Sequence, residues 1–106
     1  MARALVTLPK TARRGEIIEI RTLIAHPMET GYRPGDGGGL LPRNLIRRFT
    51  CRYGGETVFS AELYPAIAAN PLISFHTVAV ASGSLVFTWE GDNGFAQTES
   101  VDLVVT

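Results

Sequence analysis

The sequence has little cysteine, no net charge and no long apolar run. Cys51 is the only cysteine, which excludes an internal disulfide and paired-thiol chemistry within the chain. Ten basic residues balance ten acidic ones, so the electrostatic footprint of a protein that binds nucleic acid or an anionic membrane is missing. No segment approaches the roughly 18 consecutive apolar residues of a membrane span.

The N-terminal stretch from Met1 to Arg14 contains four basic residues but no apolar h-region. We therefore expect no secretory signal peptide in this sequence, which at face value keeps the chain in the cytoplasm. The 106 residues are 45% apolar and 19% charged, as in an ordinary globule. They predict a single domain over 1–106 with one modest core.

Apolar and polar residues alternate with period two along most of the chain, as in half-buried antiparallel strands. The alternation puts His26 on the same face as Ile24. The Gly54-Gly55 pair is typical of a hairpin turn. Together these signals predict seven strands, at 3–8, 15–24, 44–53, 56–63, 72–81, 85–90 and 95–105. The fold class expected is an all-β, immunoglobulin-like β-sandwich of about seven antiparallel strands, with a crossover at 66–70 that has room for a helical turn.

One long loop, over 27–43, interrupts this pattern. Eight glycines and prolines break any helix or ladder across it. Loops longer than roughly 12–15 residues in a small domain are usually functional or disordered. The ends of this loop carry groups that a flexible linker does not need: His26, Pro27, Met28, Glu29, Thr30 and Gly31 on one side, and Pro42, Arg43 and Asn44 on the other. A plain hairpin excursion is the alternative.

The chain offers little chemistry. The two histidines, His26 and His76, with Met28 and Cys51, are ligand types of a copper site on a β-sandwich. Their order is wrong, because such sites gather Cys, His and Met near the C-terminal strands, so we expect no metal and no cofactor. Cys51 is expected in the core and His76 at the surface. A nucleophile elbow, HExxH, CxxC and a phosphate-binding loop are all absent from the sequence, and an acid/base pair of His26 with Glu29 is too common by chance to count.

The remaining features are surfaces. Arg43, Arg47, Arg48 and Arg52 form either a solvated strand face or a patch for an acidic partner. The mostly apolar stretch 59–71, which contains Pro65 and Pro71, caps the core or forms the apolar centre of an interface. The residues alone therefore indicate a binding module with no chemistry of its own.

Six short motifs follow one another along the chain: His26-Pro27-Met28-Glu29-Thr30-Gly31, Pro42-Arg43-Asn44, Phe49-Thr50-Cys51, Phe59-Ser60-Ala61-Glu62-Leu63, Pro65-Ala66-Ile67 and Ala69-Asn70-Pro71. In this order they resemble the SoxZ family, the small subunits of the SoxYZ sulfur-oxidation carrier complex. The similarity runs from about Gly15 to Trp89. The glycine-rich tip 32–41 is less typical, as is Leu72, where an aromatic residue is expected.

The resemblance implies a non-catalytic scaffold that pairs with a SoxY-like subunit. That partner's C-terminal Gly-Gly-Cys-Gly-Gly tail holds the sulfur intermediate, and the pair makes transient contacts with other Sox enzymes. The sequence ends at Thr106 in a predicted strand without cysteine, so we expect this chain not to be the carrier arm. The implied location is the periplasm, reached by co-export with a partner that bears the signal. Cys51 is then expected to be buried and inert.

The residues expected to bind the partner lie around the loop and the crossover: His26, Pro27, Met28, Glu29, Thr30, Gly31, Pro42, Arg43, Asn44, Arg48, Pro65, Asn70 and Pro71. One alternative is an autonomous small-molecule or metal-binding sandwich that uses His26 and Met28. A weaker alternative is a structural or adhesive sandwich. Without its partner the chain is expected to self-associate through exposed apolar surface.

Overall fold

The computed structural model describes residues 3–35, 37–65 and 67–106. These residues form eight strands and one 3-10 turn: β1 (Ala4–Thr7), β2 (Thr11–Ala12), β3 (Ile17–Ile24), β4 (Ile46–Tyr53), β5 (Glu56–Glu62), β6 (Leu72–Val78), β7 (Gly83–Gly91), the turn Asp92–Gly94, and β8 (Ala96–Val105). The all-β prediction is confirmed. Within the described ranges, no helix has the length and apolar character needed to cross a membrane.

The strands form two packed sheets, as the sandwich prediction requires. One sheet has the order β1-β3-β6, and the other has the order β2-β8-β7-β4-β5. Neighbouring strands are antiparallel except for β2, which runs parallel to β8 and pairs with Val104 and Val105. This two-residue strand was not predicted, because Thr11 and Ala12 are too few to show alternation.

The core forms where the inward faces of the two sheets meet. Along β3 the burial alternates without exception, with Ile18, Ile20, Thr22 and Ile24 inside. Phe49 lies at the centre of the opposite sheet, with ring centroids 5.2–6.3 Å from its aromatic neighbours Phe59, Phe75, Phe87 and Trp89. Full burial of each such ring contributes about 1.5–3 kcal/mol, so this cluster is a main source of stability.

The crossover between β5 and β6 is a turn in its described residues, rather than the helical turn for which the sequence had room. The Ile67 N–H donates to the Tyr64 carbonyl at 3.0 Å, which closes a single turn. Ala66 lies outside the described residues. Two prolines, Pro65 and Pro71, limit any longer helix here.

One end of the sandwich, called the hairpin end below, contains the β4–β5 turn and the start of β7. Gly54 and Gly55 adopt φ values of 59° and 85°, a conformation that favours glycine and suits a two-residue hairpin. The Tyr53 hydroxyl accepts the N–H groups of Val80 and Ala81, each at 3.1 Å, and donates to the Ala81 carbonyl. Tyr53 therefore ties the end of β4 to the segment between β6 and β7.

Candidate functional site

The long loop is closed on itself at the other end of the sandwich. Glu29 and Asn44 form an antiparallel bridge in which each N–H donates to the other's carbonyl at 2.8 Å. A second bridge joins Pro34 and Leu40 near the tip. The two ends of the loop, far apart in sequence, are thus neighbours, together with the crossover and the hairpin after β7. This region, formed by residues 26–31, 42–48, 64–65, 67–71 and 91–95, is called the loop end below.

His26 is the central buried group of the loop end, with 4% of its surface exposed. Its backbone exchanges two hydrogen bonds with Asn70. The His26 N–H donates to Asn70 Oδ1 at 2.9 Å, and the Asn70 N–H donates to the His26 carbonyl at 2.7 Å. The ring accepts the Met28 N–H at Nδ1, at 3.0 Å, and meets the Phe95 ring edge-on with centroids 4.9 Å apart.

The environment of His26 favours a neutral ring. Burial lowers the pKa of the imidazole below its ordinary value, because a charged ring loses its hydration there. Asn44 and the Asp92 carboxylate act in the opposite direction but do not outweigh burial. Nε2 is also buried, and has no hydrogen-bond partner among the described residues.

Met28 packs beside His26 and is 5% exposed. Its sulfur accepts the Ile46 N–H at 3.3 Å, which links the start of the loop to β4. Met28 and Asn70 both have positive φ, 50° and 53°, a region that non-glycine residues rarely adopt. The hydrogen bonds to His26 hold both residues in these conformations.

Asp92 is the second organising group, and its side chain is 12% exposed. Its carboxylate accepts the Leu45 N–H at 3.1 Å and forms ion pairs with Arg43 at 3.1 Å and Arg47 at 3.4 Å. Burial raises the pKa of this carboxyl, but the Leu45 hydrogen bond and the two arginines outweigh it, so the pKa lies below its ordinary value. The sequence gives no signal for this role, because the run Gly91-Asp92-Asn93-Gly94 predicts only a hairpin turn.

Glu29 and Arg33 form a separate ion pair at 2.6 Å. The hydrogen bond from Arg33 lowers the pKa of the Glu29 carboxyl. Glu29 is therefore engaged with Arg33 rather than with His26. The acid/base pair of His26 and Glu29, already discounted from the sequence, has no support in this geometry.

The residues predicted to bind a partner divide into an exposed group and a supporting group. His26, Met28 and Pro71 are buried, and Glu29, Thr30, Gly31 and Asn44 are half-buried. The exposed group presents side chains to a partner: Pro27, Pro42, Arg43, Arg48, Pro65 and Asn70. The buried residues hold the loop and the crossover in place, so that the exposed ones share one end of the molecule.

Three of the four arginines, Arg43, Arg47 and Arg48, lie beside carboxylates, so they do not form an uncompensated positive patch. Arg43 and Arg47 share the Asp92 carboxylate. Arg48 lies between Glu62 of β5 and Glu90 of β7 in the strand register. It borders a cleft of about 380 Å³ whose lining includes both glutamates and Tyr64. The charge here is mixed, which suits a polar protein surface better than a free anion.

A second surface feature lies on the outer face of the three-stranded sheet. Leu5, Leu23 and Leu72 align in register across β1, β3 and β6, and they are 61%, 40% and 66% exposed. Leu5 and Leu23, with Arg3, Ala25 and Asn70, border an apolar groove of about 260 Å³. Leu72, atypical for the family by sequence, thus belongs to an exposed leucine row that reaches the loop end at Asn70.

The possible metal ligands are dispersed. Across the described part of the chain, no three His, Cys, Asp or Glu side chains come together as a metal site. His26 Nδ1 and Met28 Sδ each accept a backbone N–H instead. His76 is exposed on β6, as predicted, near Glu19 at 3.9 Å. Cys51 is fully buried, and burial raises the pKa of its thiol to about 12.

Solved structures with the same fold include proteins of two kinds. Superoxide reductase (neelaredoxin) from Ignicoccus hospitalis aligns with a TM-score of 0.76 at 14% identity, over 97% of this chain and 80% of that one. A putative superoxide reductase from Thermotoga maritima gives 0.72 at 13% identity, over 97% and 85%. The sulfur carrier protein SoxY from Chlorobium limicola f thiosulfatophilum gives 0.68 at 13% identity, over 97% and 78%. At these identities the likeness establishes the fold alone.

Comparison of the sequence itself is more specific. A search of curated proteins finds no significant match. The profile of the family described as "Sulphur oxidation protein SoxZ" matches residues 6–102. This range includes both sheets, the long loop, the crossover and the hairpin that carries Asp92. Because the match covers nearly the whole chain, the protein belongs to the SoxZ family.

Proposed function

We propose that this chain is the non-catalytic scaffold subunit of a sulfur carrier, paired with a SoxY-like subunit whose C-terminal cysteine holds the sulfur intermediate. The observation that carries the proposal is the family match over residues 6–102. The side chains of this chain support it. Its one thiol is fully buried with a raised pKa, and buried neutral thiols are poor nucleophiles.

The loop end is the surface proposed to meet the partner and, transiently, other Sox enzymes. It presents Arg43, Arg48 and Asn70 on a frame held by His26 and Asp92. A fixed frame favours binding, because less loop and side-chain entropy is lost on association. Arginine at an interface also contributes directional contacts to carboxylates and backbone carbonyls.

We further propose that the pair works in the periplasm, exported together by a signal on the partner. Two points support this proposal. The chain belongs to the SoxZ family, and it must reach the same compartment as the partner beside which it acts. Fractionation of cells that produce both proteins tests it. The chain should reach the periplasm only when the partner, with its signal, is produced too. Detection of the chain in the periplasmic fraction of cells that lack the partner would contradict co-export.

Without its partner, the chain is proposed to self-associate through the leucine row of Leu5, Leu23 and Leu72. Exposed apolar patches of this kind commonly mark contact surfaces. Sedimentation of the isolated chain should show a concentration-dependent mass that Leu23→Lys reduces to that of a monomer. A wild-type chain that stays monomeric at high concentration contradicts this.

Co-purification with the SoxY-like protein, followed by native mass spectrometry with and without thiosulfate, tests the pairing. We expect a one-to-one complex with any sulfur adduct on the partner alone. No complex, or an adduct on Cys51, overturns the proposed function.

A pair of charge reversals tests the surface. Arg48 and Arg52 are both exposed on β4 and point to the same outer face, but only Arg48 lies at the loop end. Arg48→Glu should weaken the complex about tenfold or more, whereas Arg52→Glu should change it less than about threefold. Equal losses of affinity in the two variants would indicate that the partner binds the outer face of the sheet rather than the loop end.

A further inference from the structure

The two ring nitrogens of His26 have different surroundings. Nδ1 accepts the Met28 N–H at 3.0 Å, which requires a lone pair on that nitrogen. In the neutral ring the hydrogen therefore lies on Nε2. That nitrogen is buried, and within residues 3–35, 37–65 and 67–106 it has no hydrogen-bond partner. The ring is thus held by one nitrogen that must stay unprotonated.

This ring lies where three segments meet. The backbone of His26 is bonded to Asn70 in the crossover, at 2.9 and 2.7 Å. Its ring contacts Phe95 in the hairpin that follows β7, with centroids 4.9 Å apart. Its Nδ1 holds Met28 at a φ of 50°, so the first turn of the loop depends on this acceptor.

Protonation reverses the role of Nδ1. An added proton on Nδ1 turns the acceptor into a donor, so two N–H groups then face each other where one hydrogen bond had been. The charge also lies in a site that is only 4% exposed, where it is poorly solvated. Both effects favour a conformation in which the ring leaves its site.

The charged groups around the ring do not cancel this effect. On the hairpin, Asp92 attracts a charged ring, but its carboxylate is already paired with Arg43 and Arg47. In the loop, Glu29 is paired with Arg33 at 2.6 Å. From the crossover, Asn70 contributes an uncharged amide. Burial accordingly lowers the pKa of His26 despite the opposing effects of Asn44 and Asp92.

We propose that neutral His26 is an acid-sensitive latch that closes the loop end, and that its protonation releases the start of the loop from the crossover and the hairpin. In the closed form the ring binds a proton less readily than a free histidine does; in the open form it titrates as a free histidine. Because exposed Pro27 and Asn70 belong to the latched segments, acid also weakens partner binding. This last consequence rests on the proposed function.

The pH range follows from the sign of the shift. The pKa of His26 is lowered in the folded chain, whereas an unfolded histidine titrates near 6.5. The latch is therefore fully closed above about pH 6.5. Below it, each unit of pH favours the open form by up to about tenfold, until the closed form also takes up the proton.

An NMR titration of the isolated chain measures this directly, because His26 and His76 are the only histidines. The variant His76→Ala assigns the two resonances. We expect the His26 ring to titrate below about 6.5. Hydrogen exchange should show the protection of the Met28 and Asn70 amides falling up to about tenfold per unit of pH below 6.5. The amides of central strands β3 and β7 should keep their protection.

Replacement of His26 by Asn provides the matched variant. The Asn side-chain oxygen accepts the N–H two residues further on, as in an Asx turn, and does not titrate. His26→Asn should make the protection of the Met28 amide independent of pH, whereas His76→Asn should leave the acid response unchanged. A His26 ring that titrates at or above 6.5 overturns the latch, as does an unchanged acid response in His26→Asn.

The partner assay keeps the two proposals apart. Both proposals are supported if the wild type binds the SoxY-like protein at pH 7.5 and binds it more weakly at pH 5.5, while His26→Asn binds it equally well at the two pH values. If the amides open in acid while no complex forms at either pH, the latch stands and the proposed function fails. If the wild type and His26→Asn lose the partner equally in acid, the link between the latch and docking is wrong.

Discussion

The two ends of the sandwich are closed by different chemistry. At the hairpin end, the Tyr53 hydroxyl, an uncharged group, bonds to Val80 and Ala81. At the loop end, the closing groups are His26 and Asp92, both of which ionise. One end should therefore keep its structure over a wide range of pH, while the other responds to acid. The exposed residues proposed to bind a partner belong to the responsive end.

The largest expected effect comes from a glycine at the loop end of β7. A Cβ on Gly91 would lie 2.3 Å from the Leu45 carbonyl oxygen and 2.9 Å from Ile46 Cα. Both are backbone atoms, so the strands themselves must separate. Gly91→Ala should cost about 3 kcal/mol or more of unfolding free energy and lower the midpoint of thermal unfolding by more than about 10 °C.

Gly83, at the hairpin end of the same strand, is the control. A Cβ there would meet only Tyr53 Cε1, at an ordinary 3.8 Å. Gly83→Ala should change the unfolding free energy by less than about 0.5 kcal/mol. Thermal melts of both variants decide the matter. Similar losses of unfolding free energy at the two sites would show that both ends of β7 tolerate an added methyl group equally. The backbone of Leu45 and Ile46 would then be able to move away from Gly91.

The next effect concerns the hairpin end. Tyr53→Phe keeps the ring but leaves the N–H groups of Val80 and Ala81 without their acceptor. Loss of partners for such part-buried groups costs about 1–3 kcal/mol. Urea unfolding at pH 8 and pH 5 should give the same loss, because no charge is involved. A loss that depends on pH contradicts the contrast between the ends.

The strands and the core were predictable because their signal is local. The alternation of Ile18, Ile20, Thr22 and Ile24 identifies the buried face of β3, and the structure confirms it. The same reasoning puts Cys51 in the core and His26 on the face of Ile24, and both residues are buried. Each inference needs only neighbours in sequence, since successive side chains of a strand alternate between faces.

The organisation of the loop end was not predictable in this way. His26 meets Asn70 across 44 residues, and Arg43 meets Asp92 across 49. The alternation of apolar and polar residues gives no information on contacts between residues so far apart in sequence. Asp92 reads as a turn residue in sequence, and only the fold shows that it also binds Leu45 and two arginines. The residues quoted for the family resemblance included His26 and Asn70, but not Asp92.

A smaller effect should appear in acid. The pKa of Asp92 lies below its ordinary 3.8, so its contribution to stability is present above that value and is lost as pH falls through the lowered folded pKa. Asp92→Asn keeps an oxygen for the Leu45 N–H but loses both ion pairs. Its stability should therefore fall less steeply below about pH 4 than that of the wild type.

Asp102 provides the control at the hairpin end. It is exposed on β8 and accepts a hydrogen bond from the Ser84 hydroxyl at 2.8 Å, with no ion pair to a basic residue among the described side chains. Acid unfolding followed by circular dichroism between pH 7 and 2 should be the same for Asp102→Asn as for the wild type. An unchanged acid profile in Asp92→Asn would mean that the Asp92 ion pairs add nothing measurable.

The smallest signal is expected from Cys51, whose labelling in the native chain should be nearly absent. With a thiol pKa of about 12, roughly one thiol in ten thousand is ionised at pH 8, and the sulfur is fully buried as well. A thiol reagent should therefore react only when the chain opens. Complete labelling of the native wild type within seconds contradicts this.

The same assay reports which end opens. Cys51 is two residues from Tyr53 on β4, closer to the hairpin end than to Asp92. At neutral pH, Tyr53→Phe should accelerate labelling of Cys51, whereas Asp92→Asn, which loosens only the loop end, should leave the rate near that of the wild type. Equal acceleration by both variants would mean that the two ends open together. The loop end could then not respond to acid while the rest of the sandwich stays closed.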